Sequence, residues 1–216
     1  MTRHLLQIYR ILFEENGPQH WWPGETRDEV IIGAILTQNT NWSNVEKAIT
    51  NLRKENLLSL HSLSKAAPDE VAKCIRPAGY YNQKAVRLIH TSQQLYNFQI
   101  PPVKEDFRSF LLSLKGIGPE TADSILLYAY ELPYFVIDAY TQRLFNRLGI
   151  IADHARYHEI QNLFMQNLKP NAALFNEYHA LIVRHAKNHC RKQPLCKSCP
   201  LHELCQYYRN TFSEPI

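Results

Sequence analysis

The stretch Leu114-Lys115-Gly116-Ile117-Gly118-Pro119-Glu120-Thr121-Ala122 joins two apolar faces of helical period. Upstream, Phe107, Phe110, Leu111 and Leu114 fall at i, i+3, i+4 and i+7, and downstream Ala122, Ile125, Leu126 and Ala129 repeat the same offsets. That spacing puts each set on one side of a helix, so a helical pair over about 107–130 is expected, joined by a glycine hairpin. Gly116 and Gly118 can take backbone angles that aim successive amides outward. Pro119 suits the first turn of the second helix, where its missing N–H costs nothing. The hairpin reads as an anion nest at a helix N-terminus, apt for a DNA phosphate, with an ordinary tight turn as the rival reading.

Working outward, the period stays helical almost everywhere. Val45, Ala48, Ile49 and Leu52 make one stripe, Ala85, Leu88, Ile89 and Tyr96 another, and Leu174, Tyr178, Leu181, Ile182 and His185 a third. Alternating strand patterns are absent, so an all-α fold is expected. A chain of 216 residues with 45% apolar composition has room for one large or two small domains. The division that fits is a helical block over 24–132, with 1–23 and 133–216 folding together beside it. Met1 to Asn16 reads as an amphipathic helix and not as a secretory segment, and no apolar run is long enough to span a bilayer. A monomer in the cytoplasm, with the nucleoid, is expected. The net charge of +4 permits nucleic-acid binding without arguing for it, but Arg184, Lys187, Arg191, Lys192 and Lys197 cluster around the cysteines described next. His185 and His189 read as basic residues on the same surface, with spare metal ligands as the alternative.

Cys190, Cys196, Cys199 and Cys205 follow the spacing C-x5-C-x2-C-x5-C, four of the five cysteines in the chain. Thiolates two residues apart can turn back on one centre, and five-residue loops can bring the outer pair to it. An iron–sulfur cluster is the leading reading, with structural zinc and then disulfides behind it, because sulfur-only donor sets suit both metals and the compartment expected is reducing. Cys74 reads as a buried small hydrophobe. Asp138, in Phe135-Val136-Ile137-Asp138-Ala139-Tyr140-Thr141, suits the N-cap of a helix carrying Leu144, Phe145 and Leu148. A carboxylate held there beside an apolar segment stays ionised yet poorly hydrated, fit to stabilise a developing cation or activate a water.

Taken together, the glycine hairpin, Val136-Ile137-Asp138 and the four cysteines resemble the helix-hairpin-helix DNA glycosylase superfamily in its endonuclease III branch, over roughly Asp28 to Tyr207. The resemblance implies a six-helix barrel domain, a helical domain built from both chain ends around a 4Fe-4S cluster, and double-stranded DNA with damaged bases held across the cleft between them. It puts the catalytic aspartate on Asp138, the phosphate-binding hairpin on Gly116 and Gly118, and the cluster ligands on Cys190, Cys196, Cys199 and Cys205. Arg191 and Lys192 then fall on the DNA face of the cluster loop. Ile35-Leu36-Thr37-Gln38-Asn39-Thr40 is similar to the stretch from which members push a glutamine, here Gln38, into the gap left by an extruded base. Gly79-Tyr80-Tyr81-Asn82-Gln83-Lys84-Ala85 is similar to the loop supplying the opposing wedge, here Tyr80.

Two departures narrow the reading. The first cysteine loop is one residue shorter than the branch usually has. Endonuclease III proper carries a Schiff-base lysine where this chain has Glu120, and a carboxylate cannot form an imine. Trp21-Trp22-Pro23, Gly33 to Thr40, Arg76 to Ala85 and Lys115 to Asp123 together resemble the 3-methyladenine DNA glycosylases built on this scaffold. In that group the counterparts of Trp21, Trp22, Pro23 and Trp42 line the base pocket, and Glu120 is assigned to the same pocket. The expected activity is a monofunctional glycosylase for alkylated purines in base excision repair. The alternatives are an oxidised-pyrimidine glycosylase with lyase activity and a non-catalytic iron–sulfur DNA-binding protein. Without the resemblance, Trp21 and Trp22 would be read as core, and Tyr80 as surface.

Overall fold

The computed structural model describes residues 1–212, and 213–216, the end of the expected C-terminal domain, lie outside the described residues. Every regular element among the described residues is helical. The chain forms two compact units, a terminal unit of Met1–Trp21 with Pro133–Ile216 and an interior unit of Trp22–Leu132.

The interior unit contains α2 (Arg27–Leu36), α3 (Trp42–Lys54), α4 (Leu60–Lys65), α5 (Pro68–Cys74), α6 (Tyr81–Leu95), α7 (Lys104–Ser113) and α8 (Pro119–Ser124). Helix α2 is its axis. Eight of its ten residues, Glu29 to Leu36, are buried, as an all-round apolar helix must be. Thr26 caps it by accepting from the Glu29 amide, and Asp28 and Glu29 complement the dipole of the first turn. The buried Glu29 carboxylate is held by Arg53 of α3 at 3.1 Å. Helix α3 buries Val45, Ala48, Ile49 and Leu52, as its period predicts. The α6 stripe differs at one end: Tyr96 is exposed and rests on His61, because the helix stops at Leu95, which takes the buried place.

The helical pair of the opening motif is α7 and α8, the latter running on through a π-helical turn at Ile125–Ala129. Phe107 and Leu111 are buried, and Phe98 stacks on Phe107 and Phe110. Arg108 of α7 donates twice to the fully buried Asp123 carboxylate of α8, at 2.6 and 2.9 Å, and so clamps the two helices together.

The terminal unit packs α1 (Thr2–Asn16), α9 (Ala139–Arg147), α10 (Tyr157–Asn167), α11 (Ala172–Asn188) and α12 (Gln206–Phe212). Leu5, Ile8 and Leu12 of α1 face an aromatic core of Phe135, Phe145, Phe164, Phe175 and Tyr178. The Tyr178 hydroxyl, sealed in that core, donates to the Leu5 carbonyl at 2.8 Å. Phe135 to Ile137 enters the core as irregular backbone, and the Phe135 carbonyl accepts from Gln161 Nε2 at 2.8 Å. This buried strut delivers the chain to the start of α9.

Candidate functional site

Asp138 is the N-cap of α9, and its Oδ1 accepts from the Thr141 amide at 2.7 Å and the Thr141 hydroxyl at 2.9 Å. Its Oδ2 lies 3.6 Å from His179 Nε2 on α11. Burial, the largest influence, favours the protonated acid. The His179 charge and hydrogen bond and the two bonds from Thr141 together outweigh it, so the carboxyl titrates below its ordinary value. The side chain keeps about an eighth of its surface exposed. His179 was not among the residues singled out from sequence. It adjoins Tyr178 on a helix buried from Tyr178 to Val183, where no stripe distinguishes one position from the next.

At the hairpin, Gly116 has φ +86°, and a Cβ there would strike the Arg87 guanidinium. Gly118 departs from the expectation. It is the extended N-cap of α8, at φ −92°, with open space where a Cβ would point, so only Gly116 requires glycine. Gln38 also sits differently from a side chain free to insert. Its Nε2 donates to the Gly116 carbonyl at 3.2 Å and the Thr121 hydroxyl at 2.9 Å, and its Oε1 accepts from Arg87. Tyr80 is two-thirds exposed at a left-handed backbone position, φ 47°. Glu120 is exposed in the first turn of α8.

Trp22, Pro23 and Trp42 line one cavity of about 410 Å³ in the interior unit, together with Glu25, Glu29, Glu46 and Arg53. The Trp22 and Trp42 rings meet edge to face at 5.1 Å, and Trp22 lies against Tyr128 at 4.9 Å. The pair is therefore not a parallel slot. Tyr128 escaped the sequence reading because it falls in the apolar run of Ile125 to Ala129. Trp21, half-buried, belongs to the terminal unit.

In the terminal unit, Cys190 follows the end of α11 and Cys205 precedes α12, and both line one small cavity with Cys196 and Cys199. None of the four is in a disulfide. Among the described residues, no three His, Cys, Asp or Glu side chains are placed to hold a single metal ion. Burial, with the charges of the neighbouring thiols, pushes Cys199 up to about 11. His185 is fully buried on this cavity, so it is not a basic residue on an outer surface, and it lies 3.6 Å from Cys199 Sγ. Arg147, also missed from sequence, holds the shortened first loop. It donates to Cys190 Sγ and to the carbonyls of Arg191 and Lys192, and the Cys205 thiol donates to its own carbonyl. The side chains of Arg184, Lys187, Arg191, Lys192 and Lys197 are all exposed, although Arg191 Nε donates back to the Lys187 carbonyl. Tyr140 lies under Arg143 and Lys187 nearby. No described helix is long and apolar enough to cross a membrane.

A family model for the HhH-GPD superfamily of base excision DNA repair proteins matches residues 32–170. A provisionally named DNA repair glycosylase of Methanocaldococcus jannaschii is 48% identical over 93% of this chain and 95% of its own. The Helicobacter pylori 3-methyladenine DNA glycosylase, solved with 1,N6-ethenoadenine, is 31% identical with a TM-score of 0.72, covering 85% of this chain and 97% of that one. A non-covalent endonuclease III–DNA complex shares the fold, with a TM-score of 0.84 at 22% identity over 97% of both chains. By these matches, the chain belongs to the HhH-GPD superfamily of base excision DNA repair proteins and is a DNA glycosylase of that family.

Proposed function

We propose that this glycosylase acts as a monomer on double-stranded DNA, hydrolyses the N-glycosidic bond of alkylated purines of the 3-methyladenine type, and leaves the abasic strand intact. The observation that carries the reading is the cavity where Trp22 and Trp42 stand beside Glu25, Glu29 and Glu46, with Arg53 the one basic residue among them. A 3-methyladenine base carries formal positive charge, so its glycosidic bond is already weakened. Its electron-poor ring is favoured by an indole face by about 0.5–2 kcal/mol, where neutral adenine gains stacking alone. The carboxylates add to that preference. The likeness to the H. pylori 3-methyladenine enzyme supports the same substrate class.

As the base departs, positive charge grows on the sugar. Asp138, its carboxyl held below the ordinary value and so ionised at neutral pH, stabilises that charge and orients the attacking water, while His179 and Thr141 fix the carboxylate's direction. The hairpin amides around Gly116 and Gly118 take a phosphate, Arg191 and Lys192 take others, and Gln38 and Tyr80 fill the gap left by the base. To do so Gln38 exchanges its bonds to Gly116, Thr121 and Arg87 for DNA. With Glu120 at the position of the branch's imine-forming lysine, no lyase step follows.

Cys190, Cys196, Cys199 and Cys205 hold a 4Fe-4S cluster in this reading. Four thiols line one cavity, where burial and the neighbouring thiols favour the protonated form of Cys196 and Cys199 unless a cation shares it, and the nitrogen ligands it offers are the imidazoles of His185 and His189. Thiolates on four irons would stand farther apart than on one ion, so the lack of a single-ion cage among the described residues is compatible with the cluster. Held by these four residues, a cluster would tie the end of α11, next to Cys190, to the loops carrying Cys196 and Cys199 and to the start of α12, next to Cys205. The substrate reading is tested by Trp42→Ala, which should lower release of 3-methyladenine at least tenfold while leaving affinity for an abasic-site analogue within twofold. Equal losses in both would mean that Trp42 does not read the base.

A further inference from the structure

Lys84 is a charged side chain with almost no surface, 2% exposed, inside the interior unit. Its ammonium donates at 2.8 Å to the Leu36 carbonyl and at 2.8 Å to the Ala78 carbonyl. Leu36 is the last residue of α2, and Ala78 is the last of the 3₁₀ turn Arg76–Ala78, so one cation satisfies the C-terminal carbonyls of two helical elements. Two residues beyond Leu36 stands Gln38, and two beyond Ala78 stands Tyr80. Both segments then pass through left-handed backbone, at Asn39 in the first and at Gly79 and Tyr80 in the second. A tyrosine rarely adopts such angles unless its surroundings impose them.

We propose that Lys84 is a positioning residue that ties the Gln38 and Tyr80 segments into one DNA-opening unit, holding the two side chains at a fixed separation. This rests on the reading that Gln38 and Tyr80 are the residues that fill the opened duplex. Burial, and then the charge of Arg87, lower the Lys84 ammonium to about 8, so a proton is kept on a group from which its surroundings help to remove it. A methionine would fill the same space with no such cost. What the lysine adds is the two bonds, and both go to backbone at the root of a wedge segment.

The test uses the full chain and a duplex carrying a tetrahydrofuran abasic-site analogue opposite 2-aminopurine, whose fluorescence rises as the opposite base unstacks. Four proteins are compared: wild type, Lys84→Met, the Gln38→Ala/Tyr80→Ala double variant, and the triple variant. The double variant should lose at least fivefold of the fluorescence gain at saturating protein. Lys84→Met should lose a similar part, and the triple variant should match the double within a factor of about two, because Lys84 would then have nothing left to position. Should Lys84→Met be insoluble, Lys84→Gln, whose amide can donate but is too short to reach both carbonyls as the ammonium does, enters the same comparison and should fall between wild type and the double variant. A defective double variant with a Lys84 variant equal to wild type overturns the proposal, as does a triple variant whose loss is the product of the two. If the double variant equals wild type, the wedge reading itself fails and the proposal falls with it.

Discussion

Asp138→Asn separates charge from shape at the candidate catalytic residue. Asparagine caps a helix about as well as aspartate, so its Oδ1 can keep both bonds from Thr141, 2.7 and 2.9 Å in length, and the start of α9 should hold. The unit negative charge is what disappears. At about 4 Å from a developing sugar cation, with an effective dielectric near 20, such a charge contributes about 4 kcal/mol. At about 1.4 kcal/mol per decade this is a thousandfold in rate, and screening by water at the exposed edge sets a lower bound of about a hundredfold. The assay is single-turnover release of methylated bases from alkylated duplex, run beside binding to an abasic-site analogue and thermal unfolding. Release should fall by a factor of about 10²–10³, with affinity and melting temperature close to wild type. Asp138→Ala should add a loss of about 1 kcal/mol in stability, because it removes the cap as well. An Asn variant within tenfold of wild type would refute the electrostatic role.

Replacing Arg191 and Lys192 together by alanine should flatten the dependence of log affinity on log salt by up to about 1.8, about 0.9 for each lost phosphate contact, with lesion preference unchanged; an unaltered slope would take the cluster loop off the DNA. The purified protein should be brown, with about four irons and four sulfides per chain. Cys199→Ala should lose colour and solubility before chemistry, whereas a colourless protein with stoichiometric zinc would overturn the assignment. Asp138 titrates below the usual 3.8, so its contribution to stability is complete above the unfolded carboxyl's pKa and is lost as pH falls through the lower folded value. His179→Ala leaves burial as the dominant influence and should raise that carboxyl's pKa, read from its ¹³C chemical shift; an unmoved titration would show that His179 does not hold it.

What the residues disclose on their own are faces and spacings. The α7 and α8 pair, the stripe of α3, the cap at Asp138 and the gathering of the four cysteines all follow from offsets within short windows. What the offsets omit are partners reached by tertiary approach. His179 meets Asp138 because α11 passes the start of α9, and nothing in its own window differs from the core around it. Arg147 reads as a basic residue in a last helical turn, yet its guanidinium is spent on two carbonyls of the cysteine loop. Lys84 reads as a polar position on an amphipathic helix and is buried because two helix ends converge on it. Glycine pairs mislead in the same way, since Gly116 needs its positive φ and Gly118 does not.

The base that this glycosylase releases distinguishes an alkylated-purine enzyme from an oxidised-pyrimidine one. Incubating the purified protein with methylated duplex DNA and with duplex containing oxidised pyrimidines, identifying the released bases by mass spectrometry, and adding borohydride in parallel tests the distinction directly. The proposed chemistry gives 3-methyladenine among the released bases, an intact abasic strand and no trapped protein–DNA adduct. Release of oxidised pyrimidines with no methylated purine, or a borohydride-stable adduct, would contradict it.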